Sequence, residues 1–381
     1  MKKIFLTSYF LLLSFLCSVV AQEVDSLVLR LDSVVSSAKI LQTSQMGFMV
    51  YDLDADSVVY EKDVLQTLRP ASTMKLLTAI TALDRLGADY EFATRLMKTD
   101  SNDYYLIGCM DPMIGVEELN EIADNIKAQG IDTIHGSLYA DRSMKDADLY
   151  GEGWCWDDDN PMLSPLVHDR KDGMLESISE LLKARGVYFD GGIKAGTCPS
   201  GATQVCQVSH KLIEVLVPMM KNSNNLYAES VFYQLGLMRG RPSTAKKAGK
   251  AIEDVLRRAG RGESIHRFAD GSGLSLYNYV SADIEVAFLR YAFSDKDLYY
   301  KLYETLPIAA IDGTLKDRMK GTPAAGNVRA KTGTVSGVSS LAGYCTTSNG
   351  RHLAFAIINQ GVMKGSYAKA LQDRICEVMC K

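Results

Sequence analysis

The sequence predicts an α/β (α+β) fold: an antiparallel sheet built from both ends of the chain, helices on its faces, and a small inserted α/β domain. Three observations predict it. A β-hairpin pattern lies near the start, three alternating apolar segments lie near the end, and helical patterns dominate the stretch between. Strands at both ends with helices between imply one shared sheet that helices cover. The chain has 381 residues, 47% of them hydrophobic. That suffices for two or three domains of about 150 residues each and for a sizeable core. The formal net charge is −4, without the basic clustering expected of a nucleic-acid binder. A mean hydropathy near zero excludes a polytopic membrane protein.

The chain opens MKKIFLTSYFLLLSFLCSVVAQ. Lys2 and Lys3 precede an apolar run to about Val20, and Val19-Val20-Ala21 supplies a cleavage site before Gln22. Residues 1–21 are therefore expected to be a cleaved signal peptide, which makes the protein periplasmic or otherwise exported. No other stretch is long enough to span a bilayer. Loss of Lys2 and Lys3 takes the formal charge from −4 to −6. Export permits disulfides, and of the 8 cysteines only Cys17 leaves with the signal. The odd remainder leaves at least one unpaired in a monomer. Cys198 and Cys206 flank a Pro-Ser-Gly turn and are candidates for a bridge. The histidines are scattered and metal-ligand spacing is absent, so neither a metal nor another cofactor is expected.

Residues 23–40 read as a helix. Gly47 to Asp63 reads as two strands around an Asp-rich turn. A helix follows Pro70. Its Leu76, Leu77, Ala79, Ile80, Ala82 and Leu83 leave little polar face, so it is expected to be buried, and Gly87 ends it. The texture changes at Asp89. DYYLIGCMD reads as a strand, VEELNEIADNIKAQG as an amphipathic helix with a glycine stop, and IDTIHGSLYADRS as a further strand. An aromatic and acidic loop runs from Gly151 to Asp169. A helix over 173–185 and strands at VYFDGGIKAG and ATQVCQVSH complete the inserted region. Helices then occupy 211–220, 224–239, 244–260 and 282–306, the last with a break. Three antiparallel strands separated by Gly and Ser-Asn-Gly turns follow, and a helix from Tyr367 to Met379 closes the chain.

Three short motifs carry chemistry. In RPASTMKLLTA, Ser72 and Lys75 stand three apart on one helix face, so the amine reaches the hydroxyl. A lysine is a useful base only when burial or a second cation depresses its pKa. The spacing alone is weak, because Ser36 with Lys39, Ser243 with Lys246 and Ser366 with Lys369 share it. Only Ser72 stands at the start of a buried helix. In KNSNNLYAE, Ser223 offers a second hydroxyl for proton relay and Asn225 an amide for a peptide substrate, although Ser and Asn are also ordinary helix caps. In RAKTGTVSG, Lys331 offers a cation and Thr332 and Thr334 offer hydroxyls, suited together to a carboxylate. Gly333 permits close approach of a ligand backbone. An edge-strand lysine that blocks aggregation would explain Lys331 but not the Thr-Gly-Thr beside it.

The three motifs in this order are the set found in penicillin-binding proteins and class A β-lactamases. The chain resembles the serine-type D-alanyl-D-alanine carboxypeptidases of the class C low-molecular-mass penicillin-binding proteins, the peptidase S13 family. PASTMKLLTA, GWCWDD, DGSGLS, LPIAAIDGTLKDRMKGTPAAGNVRAKTGT and GVSSLAGY all read like that family. The resemblance implies a penicillin-binding/β-lactamase-like transpeptidase fold formed by 22–87 and 207–381, with a shortened domain inserted at 88–206. It implies Ser72 as the acylated nucleophile, Lys75 as its base, Ser223 as proton relay and Asn225 as the substrate-amide contact. Lys331 would support the electrostatics, Thr332, Gly333 and Thr334 would hold the terminal carboxylate, and the N–H groups of Ser72 and Thr334 would form the oxyanion hole.

The implied substrates are peptidoglycan stem peptides, cut at D-Ala-D-Ala or at D-Ala crosslinks, with β-lactams as covalent ligands and no cofactor. Asp158 matches the family's acidic residue for the substrate side-chain amine, although Asp157, Asp158 and Asp159 read equally as a solvated acidic loop. Leu276 stands where the family often has an arginine that meets the side-chain carboxylate. Two other readings share the motifs. A β-lactamase needs fast deacylation, and no Glu-x-x-Leu-Asn follows the first motifs. A non-catalytic penicillin-binding protein would not need the full set of residues.

Overall fold

The computed structural model describes residues 26–158 and 160–381. The expected signal peptide, residues 1–21, lies outside the described residues, as does Asp159. Helix α1 (26–36) leads into the expected hairpin, β1 (Gln45–Asp52) and β2 (Ser57–Lys62). Helix α2 spans Met74–Arg85. Between α2 and α5 lie β3 (Glu91–Lys98), β4 (Tyr104–Ile107), α3 (Val116–Lys127), β5 (Thr133–Ile134), β6 (Leu138–Asp141), β7 (Val167–His168), β8 (Lys171–Asp172), α4 (Met174–Ala184), β9 (Tyr188–Phe189), β10 (Ile193–Ala195) and β11 (Thr203–Lys211). Helices α5 (Leu212–Lys221), α6 (Asn225–Leu237), α7 (Ala245–Arg258), α8 (Ala282–Ser294) and α9 (Lys296–Thr305) follow. Strands β12 (Arg329–Val335), β13 (Val338–Thr346) and β14 (His352–Gln360) and helix α10 (Gly365–Met379) complete the chain.

Both chain ends build one five-stranded antiparallel sheet, in the order β12-β13-β14-β1-β2. The register pairs Phe48 with Ile357 and Met49 with Ala356. Alternation then sorts the side chains. Phe48, Val50, Leu353, Phe355 and Ile357 join α1 and α10 in one core, through Leu27, Leu31 and Ile375. Met49, Ala342, Ala354, Ala356 and Ile358 belong to the core on the opposite face, with the apolar side chains of α2 and α8. Both faces are covered, so β14 is buried almost end to end. Helix α2 is the centre of the second core: Met74 through Leu83 are all buried, and α5, α6, α7, α8 and α9 pack against it. The predicted break in the 282–306 helix falls at Asp295, whose carboxylate caps α9 by accepting from Leu298 N.

A second five-stranded sheet, in the order β10-β6-β4-β3-β11, is mixed, with β4, β6 and β10 parallel. Helices α3 and α4 cover it around a third core of Leu106, Ile122, Ile126, Ile178 and Leu182. Several expectations change here. Strand β3 is unread in the sequence because Phe92, Ala93 and Thr94 are buried in succession and hide the alternation. The strand expected over 131–143 splits into β5 and β6 at Gly136, where any Cβ would run into the Asn102 carbonyl. The strand expected over 187–196 splits at Gly191-Gly192 into β9 and β10. Cys198 and Cys206 are both free. Cys198 follows edge strand β10, Cys206 sits on the opposite edge strand β11, and the three strands between them impose a gap of several times ~4.8 Å. Among the described residues no helix is long and apolar enough to cross a membrane.

Candidate active site

The turn before α2 builds the first half of the site. Ala71 adopts a left-handed φ of 50°, and the 3-10 turn Ala71–Thr73 runs directly into α2. A non-glycine residue held this way costs on the order of 1–3 kcal/mol and persists only where its surroundings dictate it. They do so here. The Pro70 carbonyl accepts from Ser340 Oγ on β13 and from Thr73 Oγ1, the latter at 2.8 Å. Thr73 Oγ1 also hydrogen-bonds the buried Glu285 of α8. Gly273 lies so close behind the turn that a Cβ there would overlap the Ala71 carbonyl. The result leaves Ser72 half-buried while Thr73 and Lys75 are wholly buried.

One turn along α2, Lys75 Nζ donates to Ser72 Oγ at 2.9 Å, to Asn225 Oδ1 at 2.8 Å and to the Ser272 carbonyl at 2.8 Å. Burial pushes its pKa down to about 7, although the nearby carboxylates of Asp270 and Glu229 pull the other way. An amine at that value is substantially neutral at physiological pH and able to take a proton from a hydroxyl.

The second half comes from the turn between α5 and α6 and from edge strand β12. Asn224 is the N-cap of α6 and accepts from Tyr227 N. The bland role foreseen for this motif thus falls to its middle residue, and the flanking Ser223 and Asn225 face the cleft residues. Ser223 holds a φ of 58°, and its Oγ accepts from Lys331 Nζ at 2.8 Å. Lys331 also donates to the Thr332 carbonyl. Its pKa lies well below the usual lysine value, first through burial and then through repulsion from Lys75. Thr332 Oγ1 pairs with Thr314 Oγ1 at 2.8 Å, and Thr334 is exposed. Gly333 is explained by the protein's own backbone. A Cβ there would lie 2.0 Å from Ser340 Oγ, 2.7 Å from the Pro70 carbonyl and 3.0 Å from Ser72 N. Strand β12 therefore presses against the Ser72 turn, and only glycine allows it.

Behind these groups stands a shell that sequence reasoning did not assign. Asp270 accepts from Trp154 Nε1 at 2.9 Å and from Gly273 N, Ser275 N and Asn278 Nδ2. Glu229, buried in α6, accepts from the backbone N–H groups of Gly271 and Ser272. Together they shape the 270–278 loop so that its Ser272 carbonyl meets Lys75. DGSGLS signals that loop in the sequence, and a lone Glu in a helix without other charges is the signal that Glu229 offered; Glu285, with Asp283 and Arg290 on the same helix, offered none. The Trp154 loop is tied to the same segment through Leu276 N to Gly153 O and Ser275 Oγ to Glu152 O. Asp158 lies exposed on this loop, outside the hydrogen-bonded cluster. The structure thus joins Ser72, Lys75, Asn225, Ser223, Lys331 and Gly333, and leaves Asp158 outside that cluster.

The D-Ala-D-Ala carboxypeptidase 3 (S13) family model matches residues 27–167 and 161–380. A D-alanyl-D-alanine carboxypeptidase from Actinomadura sp. (strain R39) is 29% identical over 88% of this chain and 81% of its own length. The fold is that of penicillin binding protein 4 (dacB) from Haemophilus influenzae, at 23% identity over 91% of this chain and 97% of that one. The TM-score is 0.82 for its crystal structure and 0.77 for its complex with a β-lactam. A predatory peptidoglycan endopeptidase from Bdellovibrio bacteriovorus superposes with a TM-score of 0.61, at 19% identity over 88% of this chain and 92% of that one.

Proposed function

This chain belongs to the D-Ala-D-Ala carboxypeptidase 3 (S13) family, and on that premise we propose that it is a serine D,D-peptidase that works through an acyl-enzyme on Ser72. The observation that carries this reading is the pairing of two buried amines with two hydroxyls in one cleft: Lys75 on Ser72 and Lys331 on Ser223. Ser72 passes its proton to the Lys75 nitrogen as Oγ attacks the carbonyl carbon of the penultimate D-Ala. The N–H groups of Ser72 and Thr334 stabilise the oxyanion. When the tetrahedral intermediate collapses, the C–N bond breaks. The departing amine takes its proton from Lys75 through Ser223. Water then adds to the ester carbonyl, its proton returns to Ser72 by way of Lys75, and the shortened peptide leaves as a carboxylate.

Asn225 fits its role with one amide end already committed. Its Oδ1 accepts from Lys75, which turns the NH2 towards a substrate carbonyl. Strand β12 is the outermost of its sheet; its start pairs with the 307–309 segment through Arg329 and Ala330, and beyond Ala330 an extended stem peptide can pair along its edge. Thr332 and Thr334 then meet the terminal carboxylate, and Asp158 meets the substrate's side-chain amine. The same acyl-enzyme serves an endopeptidase, in which the leaving amine belongs to a crosslinked second peptide. β-Lactams acylate Ser72 and stay attached. The site of action is outside the cytoplasm, where peptidoglycan lies, in keeping with the signal-like residues 1–21.

Incubation with a fluorescent penicillin tests the core of the reading. Wild type should carry a covalent label and Ser72→Ala none. An unlabelled wild type, or an equally labelled Ser72→Ala, would sink it. Purified muropeptide monomers and crosslinked dimers then divide carboxypeptidase from endopeptidase activity, by release of D-Ala or of monomers.

A further inference from the structure

Glu285 is a carboxyl group for which the acyl-transfer scheme has no use. It sits in the first turn of α8, wholly buried. One oxygen hydrogen-bonds Thr73 Oγ1, and the other has no hydrogen-bond partner among the described residues. Thr73 is the residue after the nucleophile. Its hydroxyl has one proton and two short contacts, Glu285 Oε1 and the Pro70 carbonyl; Ser340 Oγ lies farther off at 3.3 Å and spends its own proton on the Pro70 carbonyl. A carbonyl can only accept. If Glu285 were ionised it too could only accept, and one of the two short contacts would set lone pair against lone pair. Both contacts are satisfied when Glu285 carries a proton. The acid donates to Thr73 Oγ1, and Thr73 donates to Pro70 O.

The surroundings agree. Helices α2, α7 and α9 and strands β1, β13 and β14 pack against α8. Of the titratable groups on those elements, Lys75 is engaged with Ser72, Arg258 with Asp84, Lys301 with Asp297, Tyr51 with Asp56, Tyr344 with the Leu289 carbonyl and His352 with Asp54. Among the described residues no cation pairs with Glu285, and burial raises its pKa to about 8.

We propose that Glu285, as a neutral carboxylic acid, is a positioning residue for the nucleophile. Its proton completes a relay of hydrogen bonds, Glu285 to Thr73 to Pro70 O, that holds Ala71 left-handed and aims Ser72 at Lys75. Loss of the proton leaves an acceptor-only carboxylate. Thr73 then turns its own proton to Glu285, Pro70 O loses a donor, and the turn loosens. This rests on the reading of Ser72 as nucleophile, and it gives acylation an alkaline limb distinct from the acidic limb set by Lys75.

The test is the second-order rate of labelling by a fluorescent penicillin as a function of pH. Glu285→Gln keeps a neutral donor and should label within about threefold of wild type at pH 6.5, with the alkaline limb gone. Glu285→Leu and Thr73→Val should each label at least tenfold more slowly at pH 6.5, and the double variant no more slowly than Thr73→Val alone. An unchanged alkaline limb in Glu285→Gln, wild-type rates in Glu285→Leu, or losses that multiply in the double variant would each overturn the proposal. Should Glu285→Leu fail to fold, Glu285→Gln and Thr73→Val decide it. A wild type that labels while Glu285→Leu labels equally well removes this inference alone; a wild type that never labels removes the acyl-serine reading with it.

Discussion

Lys331 Nζ donates to Ser223 Oγ at 2.8 Å, joining an edge strand to the turn before α6 across 108 positions of sequence. The contact repeats the arrangement of Lys75 on Ser72. Both amines are fully buried, and Lys75 opposes protonation of Lys331. Each hydroxyl therefore faces an amine whose burial disfavours its charged form.

The backbone of Ser223 separates its chemistry from its structural role. Its left-handed φ of 58° is easier for glycine. Ser223→Gly should thus keep folding stability within about 1 kcal/mol of wild type, as relief of local strain offsets the added freedom of the unfolded chain. The relay hydroxyl is lost, so D-Ala release should fall ~10²–10⁴-fold, the usual weight of a proton-transfer group. Urea melts and D-Ala assays on the same preparation check both halves, and a fully active Ser223→Gly would remove Ser223 from the mechanism.

Lys75 sets the acidic side of the pH profile. Its pKa of about 7 follows from burial, and only the neutral amine accepts the Ser72 proton. Acylation should therefore decline as pH falls through 7, close to tenfold per unit well below it. Lys75→Arg, which stays charged throughout, should lose ~10²–10⁴-fold at every pH. Stopped-flow labelling from pH 5 to 8 reads both.

The residues of this cleft were legible unequally, for physical reasons. Ser72 and Lys75 share one helical turn, so local spacing reveals them. Ser223, Asn225 and Lys331 are reached only through three motifs taken in order, because nothing local says that β12 folds back onto the Ser72 turn. Glu229 and Glu285 escape notice because a carboxylate in a helix ordinarily faces solvent. Their burial depends on partners that are themselves remote: backbone N–H groups at Gly271 and Ser272, and Thr73. The sequence reads Gly333 as room for a ligand backbone; the structure shows the Pro70 carbonyl and Ser340 pressed against it. The Cys198–Cys206 bridge failed because closeness in sequence says nothing about opposite edges of a sheet.

Gly333 makes the packing of β12 on the nucleophile turn testable. Gly333→Ala should destabilise by ~1–3 kcal/mol, as overpacking of a tight site does, and should cut penicillin labelling by displacing Ser72. Adding Ser340→Ala removes the contact at 2.0 Å but not the one at 2.7 Å to the Pro70 carbonyl. The double variant should therefore recover neither stability nor labelling in full. Wild-type values in Gly333→Ala would mean that β12 yields freely and that the close approach has no bearing on Ser72.

The buried ionisable groups also impose opposite slopes on stability. Glu229 and Glu285 have pKa values raised from 4.5 to about 8 by burial. Between those values the folded state binds more protons than the unfolded one, so each group lowers stability progressively as pH rises from about 4.5 to about 8. Lys75 is lowered from 10.5 to about 7. Between those values the unfolded state binds more protons, so this group adds stability as pH rises from about 7 to about 10.5. The two effects meet near pH 7–8, where the site contributes least. Urea unfolding isolates them by difference. Relative to wild type, Glu285→Gln should gain stability from pH 5 to 8, with a slope on the order of 1 kcal/mol per pH unit at its steepest. Lys75→Met should hold its greatest advantage over wild type below pH 7 and lose it progressively towards pH 10. A Glu285→Gln difference that stays flat from pH 5 to 8 would mean that Glu285 is ionised in the folded protein, against its bare second oxygen and the absence of a cation beside it.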